Sequence, residues 1–192
     1  MNKQIKDSNL AILIRYLNGI NVRVTLYDAE SAKFSIAQLR RQHIIVNTHA
    51  RDGLNCLFTI AHLFGHLVQY LSYEKYVHLT KEVSKPLPIV ANENFRKEFF
   101  QYEVEAFRIG KGLMLSCFEM NSEMDSKYSL FMKTDFDHFW HYITTNEKGD
   151  IDAFNQLLDE AYLHWNTNKE LLEPLPHPKP IQLNRSAFIE VF

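Results

Sequence analysis

The most apolar segment of the chain spans residues 57–68 and contains two histidines, His62 and His66. No proline interrupts it, and its length suits a buried helix. On a helix, side chains four residues apart project from nearly the same face. A fold built around this helix must therefore give two adjacent imidazoles polar partners inside its core.

One such partner is a metal ion, because two neutral imidazoles at this spacing leave room for a third protein ligand and a water. Zinc peptidases with this spacing place a glutamate directly after the first histidine, where it acts as a base. The present chain has Leu63 at that position. The sequence thus predicts a metal site without its usual base. In the alternative interpretation, both histidines are neutral, buried and hydrogen-bonded in a purely structural or interaction protein.

A third ligand must come from another segment, and Glu103 is the best candidate. It lies within a predicted helix among apolar neighbours that include Phe99, Phe100 and Phe107. A buried carboxylate needs a partner, and a cation is an obvious one. Glu105 lies roughly 200° farther around the same helix. Only one of the two glutamates can therefore point at the metal, and the other is expected to face solvent.

The hydrophobic periodicity predicts an α+β fold, in which a small antiparallel sheet of about three strands packs on a mainly helical domain. The predicted strands cover residues 20–26, 32–38 and 43–47. The predicted helices cover residues 8–17, 54–73, 93–117, 128–144 and 150–165, with Asn92 as the cap of the third. The stretch 74–92 is predicted to be a connector, and the polar stretch 121–127 to separate two helices.

The 192 residues suffice for one well-buried domain. We predict a single domain over residues 1–172. A proline-rich C-terminal tail over residues 173–192, with prolines at 174, 176, 178 and 180, is expected to be extended.

Composition and charge limit the classes of partner. The net charge is −2 and the isoelectric point is near 6.5, so no basic field favours direct binding of nucleic acid. The two cysteines, Cys56 and Cys117, are expected to be reduced, buried thiols of a cytoplasmic protein. The N-terminus has no secretory pattern, and no uncharged apolar run is expected to reach the ~20 residues that span a bilayer.

Two motifs resemble those of the ImmA/IrrE zinc metallopeptidases. In that family a strand ending in Asn precedes a helix with the sequence Phe-Thr-Leu-Ala-His-Glu-Leu-Gly-His, and here Asn47 precedes Phe-Thr-Ile-Ala-His-Leu-Phe-Gly-His at 58–66. The family then carries Glu-x-Glu-Ala-Asn-x-Phe-Ala, which the segment Glu-Val-Glu-Ala-Phe-Arg-Ile-Gly at 103–110 resembles. The resemblance covers about residues 20–117.

The resemblance implies a minimal zincin fold with zinc held by His62, His66 and Glu103. Active relatives cleave helix-turn-helix repressors, so the resemblance also implies a protein or peptide partner, with a helix-turn-helix repressor as the candidate. This chain departs from the family at three positions near the expected site: Leu63 replaces the glutamate, Phe107 replaces an Asn or Asp, and Tyr70 stands where several relatives have a further histidine.

Leu63 and Phe107 bear directly on activity. A positioned acid/base contributes ~10²–10⁴-fold in rate, and Leu63 cannot act as one. Groups that orient metal ligands typically contribute ~10–100-fold in metal affinity or activity. Because Phe107 and Tyr70 differ from the residues that the family has at these positions, we expect this contribution to be reduced. We therefore expect a pseudoenzyme-like protein with weak or lost peptidase activity and a retained protein-binding groove. The alternative is an active zinc hydrolase with a displaced base, for which the connector offers Glu74 and Glu82.

Two further histidines, His138 and His141, follow the aspartates Asp135 and Asp137. We interpret this segment as the start of a helix, with acidic residues favouring the N-terminal end of its dipole. The alternative interpretation is a second metal site.

Overall fold

The computed structural model of the chain describes residues 8–29, 35–49, 51, 53–83 and 93–145. Its elements in chain order are α1 (Asn9–Gly19), β1 (Arg23–Tyr27), β2 (Ile36–Gln38), a 3-10 turn (Leu39–Arg41), β3 (His43–Asn47), α2 (Gly53–Ser72), α3 (Glu74–Val83), α4 (Glu93–Cys117) and α5 (Ser122–Thr145). This mainly helical fold with a three-stranded sheet confirms the predicted α+β class. The Asn92 cap, the helix predicted over 150–165 and the tail over 173–192 lie outside the described residues.

Helix α1 begins where the sequence predicts. The Ser8 hydroxyl accepts a hydrogen bond from the backbone N–H of Ala11 at 3.3 Å, which satisfies one free donor of the first turn. Leu13 and Leu17 are fully buried against the core. The chain then turns through Asn21 in the left-handed region (φ 63°) and enters β1.

The sheet has the order β1-β3-β2, with β3 in the centre. Strand β2 pairs with β3 antiparallel, but β1 pairs with β3 parallel, so the prediction of an antiparallel sheet was wrong for this pair. The 15 residues from 28 to 42, which include β2, carry the chain back to the starting end of β1, as parallel pairing requires. Alternating apolar residues identify strands but not their direction, so the sequence left this pairing undetermined.

Strand β3, which precedes helix α2 in the chain, is the most buried of the three strands, as predicted. Ile44 and Val46 are fully buried, and Asn47 is 4% exposed. The Asn47 carboxamide accepts from the backbone N–H of Ala29 and donates to its carbonyl oxygen, at 3.2 and 2.9 Å. It also accepts from the backbone N–H of His49 at 3.1 Å. Asn47 thus joins the ends of the β1 and β3 strands before the chain enters α2.

Helix α2 is the centre of the core, and twelve of its 20 residues are buried. It is the one described helix long and apolar enough to cross a membrane. The expectation that no uncharged stretch reaches this length was wrong, because α2 contains no Asp, Glu, Lys or Arg. Within the protein, 61% of its most apolar window is buried, as in a core helix.

Helices α2 and α4 cross at two glycines, and this crossing sets the geometry of the site. A Cβ atom on Gly65 would overlap the backbone carbonyl group of Ala106. A Cβ atom on Gly110 would lie 2.5 Å from the carbonyl oxygen of Ala61. Only glycine allows this approach, so the cost of a glycine in a helix is offset by close packing. Glu103 lies one helical turn before Ala106 and is thereby brought to the histidine face of α2.

Two helices differ from the prediction. Helix α3 occupies much of the predicted connector, since Tyr76 and Leu79, three residues apart, are both buried in a cluster with Phe99 and Tyr102. Helix α5 begins at Ser122 rather than near residue 128. The Asn121 side chain accepts from the backbone N–H of Met124 at 2.8 Å and starts the helix within the supposed linker.

Candidate metal centre

Three side chains from two helices converge on one point. The Nε2 atoms of His62 and His66 are 3.0 Å apart, and they lie 3.4 and 3.3 Å from Oε2 of Glu103. Zinc ligands at about 2.0–2.1 Å in tetrahedral geometry are separated from one another by about 3.3 Å. All three side chains are at most 12% exposed. The buried group of His62, His66 and Glu103 could therefore hold a metal ion, as the sequence predicts.

The ring of His66 is held in one tautomer by Gln69. The Gln69 amide nitrogen donates to the carbonyl oxygen of Tyr102 at 2.8 Å, so its Oε1 accepts from Nδ1–H of His66 at 3.0 Å. With the proton on Nδ1, the Nε2 lone pair of His66 is free to face the site. An outer hydrogen bond of this kind is the usual support of a metal-binding histidine. The sequence analysis did not identify Gln69, which is fully buried.

The site requires a positive charge. Two imidazole nitrogens face each other and a buried carboxylate, so a positive charge at this point is favoured. Burial lowers the pKa of His62, and the adjacent His66 lowers it further. Burial also acts to lower the pKa of His66, but the Glu103 carboxylate and its hydrogen bond outweigh it and the pKa is raised. A bound cation can supply the positive charge in place of a proton on His66.

Phe107, one of the departures from the family motif, contacts His62 directly. Its ring stacks on the His62 imidazole with centroids 3.8 Å apart and planes 19° apart. Nδ1 of His62 is buried and has no hydrogen-bond partner among the described residues. An Asn or Asp at position 107, as in the family, is the type of residue that satisfies such a donor. Phe107 therefore supports the ring by stacking alone.

The remaining candidates lie away from the three ligand atoms. The Tyr70 hydroxyl accepts from Nε of Arg40 at 3.3 Å, on the more exposed part of α2. Glu105 accepts a hydrogen bond from Tyr76 and lies 3.9 Å from Nζ of Lys75, so it points away from the site. Its side chain is only 23% exposed, so the prediction that it faces solvent was wrong. Leu63 packs partly buried against the main hydrophobic core.

The structure adds one acidic residue to the site, Asp135 of α5. Its Oδ2 atom lies 3.6 Å from Nε2 of His62, and its side chain is 37% exposed. Partial burial and the nearby Glu103 carboxylate raise the pKa of Asp135 to about 7, against the opposing field of Arg51.

The interpretation of this segment as a helix start was wrong, because α5 begins thirteen residues before Asp135. Asp135 instead lies beside His62. His141 is exposed, and the side chain of His138 lies outside the described residues. The spacing of Tyr128, Met132 and Asp135 along one helix face was the signal that could have placed this carboxylate toward the core.

Comparisons with protein-family models, with curated proteins and with solved structures gave no match. The ImmA/IrrE resemblance accordingly remains a prediction based on the motif residues at 58–66 and 103–110.

Proposed function

We propose that this chain is a zincin-like, zinc-binding protein that resembles the ImmA/IrrE metallopeptidases. His62, His66 and Glu103 are the ligands, and water completes the coordination. The supporting observation is the 3.0–3.4 Å spacing of three buried donor atoms. Two imidazoles and one carboxylate in a tetrahedral arrangement with an open position are typical of catalytic zinc sites.

Activity by the usual peptidase route is weak or lost in this proposal. A bound zinc ion would polarise a carbonyl group and lower the pKa of water. The side chain that normally removes the proton is replaced by Leu63, which packs against the core. The protein then binds a protein or peptide partner in the cytoplasm, through the groove in which active relatives bind their substrate. The resemblance suggests a helix-turn-helix repressor as this partner.

A second candidate function is an active zinc-dependent peptidase with a displaced base. One observation favours it, namely that a carboxylate from a different helix, Asp135, lies beside His62. The connector residues considered from sequence are less suitable. Glu74 is exposed on α3, and the side chain of Glu82 lies outside the described residues.

Metal analysis of the purified protein tests the proposal. We expect about one zinc per chain in the wild type, a loss of at least 10-fold in zinc affinity in His62→Ala, and no change in His78→Ala. His78 is exposed on α3 and serves as the matched control. Equally weak zinc binding by the wild type and His62→Ala would instead support a structural protein with a protonated histidine pair.

The partner is tested with a purified helix-turn-helix repressor. Binding or zinc-dependent cleavage of the repressor supports the partner assignment, and chelation should abolish the cleavage. A repressor that neither binds to nor is cleaved by the zinc-loaded protein contradicts it.

A further inference from the structure

The site contains two carboxylates in different surroundings. Glu103 is 5% exposed and lies 3.3–3.4 Å from both histidine Nε2 atoms. Asp135 is 37% exposed and lies 3.6 Å from Nε2 of His62. The Glu103 side of the site is therefore closed by the core, whereas the Asp135 side is open to solvent.

The packing of α5 holds Asp135 at this position. The Tyr128 hydroxyl donates to the carbonyl oxygen of Phe107 at 2.8 Å, which ties α5 to α4. The ring of Phe131 lies in contact distance of Phe107, with centroids 6.0 Å apart. Met132 is 3% exposed in the same core. Asp135 comes one turn later on this face, so the aromatic contacts orient its carboxylate toward His62.

The distances distinguish Asp135 from a fourth ligand. A ligand completing a tetrahedron would lie about 3.3 Å from all three other donor atoms. In the described part of the chain, the set of candidate donors within 4.8 Å of one another contains His62, His66 and Glu103 but not Asp135. Asp135 thus lies beside the three candidate ligands, with its Oδ2 atom 3.6 Å from Nε2 of His62.

We propose that Asp135 accepts the proton of the attacking water, in place of the glutamate that the ImmA/IrrE pattern has at position 63. This inference rests on the proposed metal site and on the second candidate function, the active zinc-dependent peptidase with a displaced base, and it names that base for the hydrolysis of an amide bond. Asp135 takes one proton as the water oxygen bonds to the carbonyl carbon. It then gives that proton to the amide nitrogen as the C–N bond breaks, so that one water and one peptide bond yield a carboxylic acid and an amine.

The Leu63 position does not compete for this role. Leucine has no proton-accepting atom, and the side chain packs against the apolar core. The water is therefore activated from α5 rather than from α2. The peptide must accordingly approach from the side of Asp135, the more exposed of the two carboxylates.

The test compares Asp135→Asn with Asp137→Asn, a matched change two residues away on the same helix. Zinc affinity is measured by competition with a chromophoric chelator. The visible spectrum of the cobalt-loaded protein reports the ligand set. Hydrolysis is followed with fluorescein-labelled casein and with 4-nitrophenyl acetate, each in the presence and absence of zinc.

We expect Asp135→Asn to retain zinc affinity within about 3-fold and to keep the cobalt spectrum. Zinc-dependent hydrolysis should fall by about 10²–10⁴-fold, while Asp137→Asn keeps the wild-type rate. Asp135→Glu should recover part of the rate, because it restores a carboxylate.

Three results would overturn the inference and leave the metal site intact: an Asp135→Asn rate equal to wild type, zinc-loaded wild type that hydrolyses neither substrate, and a 10-fold or larger loss of zinc affinity with an altered cobalt spectrum. The last would make Asp135 a ligand. Wild type that binds no zinc would overturn the proposed function itself, and is distinguished from the others by the affinity measurement.

Discussion

Nδ1 of His66 lies 3.0 Å from Oε1 of Gln69, one turn farther along α2, and this contact decides which imidazole nitrogen faces the site. Gln69 is itself held by its bond to the Tyr102 carbonyl oxygen. A side chain with no direct access to the metal thus controls the orientation of a ligand.

Replacing Gln69 with leucine should weaken zinc binding. The His66 ring loses the hydrogen bond that keeps its proton on Nδ1. The loss of such a bond typically costs ~10–100-fold in metal affinity. Tyr70→Phe, which removes the neighbouring hydroxyl bonded to Arg40, should leave the affinity unchanged. Competition titration with a chelator measures the zinc affinity of both variants. Equal affinities for Gln69→Leu and wild type would show that the tautomer of His66 is set elsewhere.

Replacing Phe107 with asparagine should strengthen zinc binding by about 10-fold, because the new side chain can accept from Nδ1 of His62. The same change should lower the free energy of unfolding by about 3 kcal/mol, since it removes a buried ring. Phe107→Leu is the control, because it shortens the side chain without adding an acceptor. The two variants should separate in zinc affinity. In urea denaturation of the metal-free protein, Phe107→Leu should lose less stability than Phe107→Asn, because leucine keeps an apolar side chain in the core. Equal zinc affinities of Phe107→Asn and Phe107→Leu would mean that residue 107 forms no useful hydrogen bond with Nδ1 of His62.

Replacing Gly65 with alanine should lower the free energy of unfolding by about 1–3 kcal/mol or more, because the added methyl group overlaps the Ala106 carbonyl. Zinc affinity should fall with it, as α4 moves and carries Glu103 away from the histidines. Gly53→Ala at the start of α2 is the control, since a Cβ atom there meets nothing within 4 Å. Urea denaturation of both variants checks the difference. A Gly65→Ala protein as stable as Gly53→Ala would contradict the close crossing.

Replacing Leu63 with glutamate should raise zinc-dependent hydrolysis, because it adds a proton acceptor where the related peptidases have one. In an Asp135→Asn background it should restore a rate that the single change removes. Leu63→Gln has a similar size without a basic oxygen and should restore nothing. Rates on labelled casein with equal zinc loading give the comparison. If Leu63→Glu is inactive while zinc is bound, other parts of the groove limit the reaction.

The thiol of Cys117 should react slowly near neutral pH. Burial raises its pKa to about 11, so at pH 8 only on the order of 0.1% is thiolate. In a Cys56→Ser variant, the rate of iodoacetamide modification should rise about tenfold per pH unit between pH 8 and 10. The same variant unfolded in urea should level off near pH 9. A plateau near pH 9 in the folded protein would contradict the raised pKa.

Much of the site could be predicted from local sequence. The spacing of His62 and His66 places both rings on one face, and the apolar neighbours of Glu103 require a partner for its carboxylate. Strand β3 and helix α4 have the predicted limits, because their apolar periodicity is uninterrupted.

The parts that could not be predicted depend on long-range packing. Asp135 was misplaced because acidic residues are typical of the first turn of a helix, whereas the helix that contains Asp135 begins at Ser122. Gln69 looked like an ordinary polar residue of α2, and its role depends on a carbonyl 33 residues away. The parallel pairing of β1 and β3 depends on the path of the connecting chain.

At the crossing of α2 and α4, backbone meets backbone, since neither Gly65 nor Gly110 contributes a side chain. The separation of the histidine pair from Glu103 is therefore governed by main-chain geometry and does not depend on the rotamers of intervening residues. Substitutions at positions 63 and 135 can alter the chemistry without changing the helix crossing that brings the three donor atoms together. A protein with this crossing can therefore lose, regain or relocate its proton acceptor while the three donor atoms stay in place.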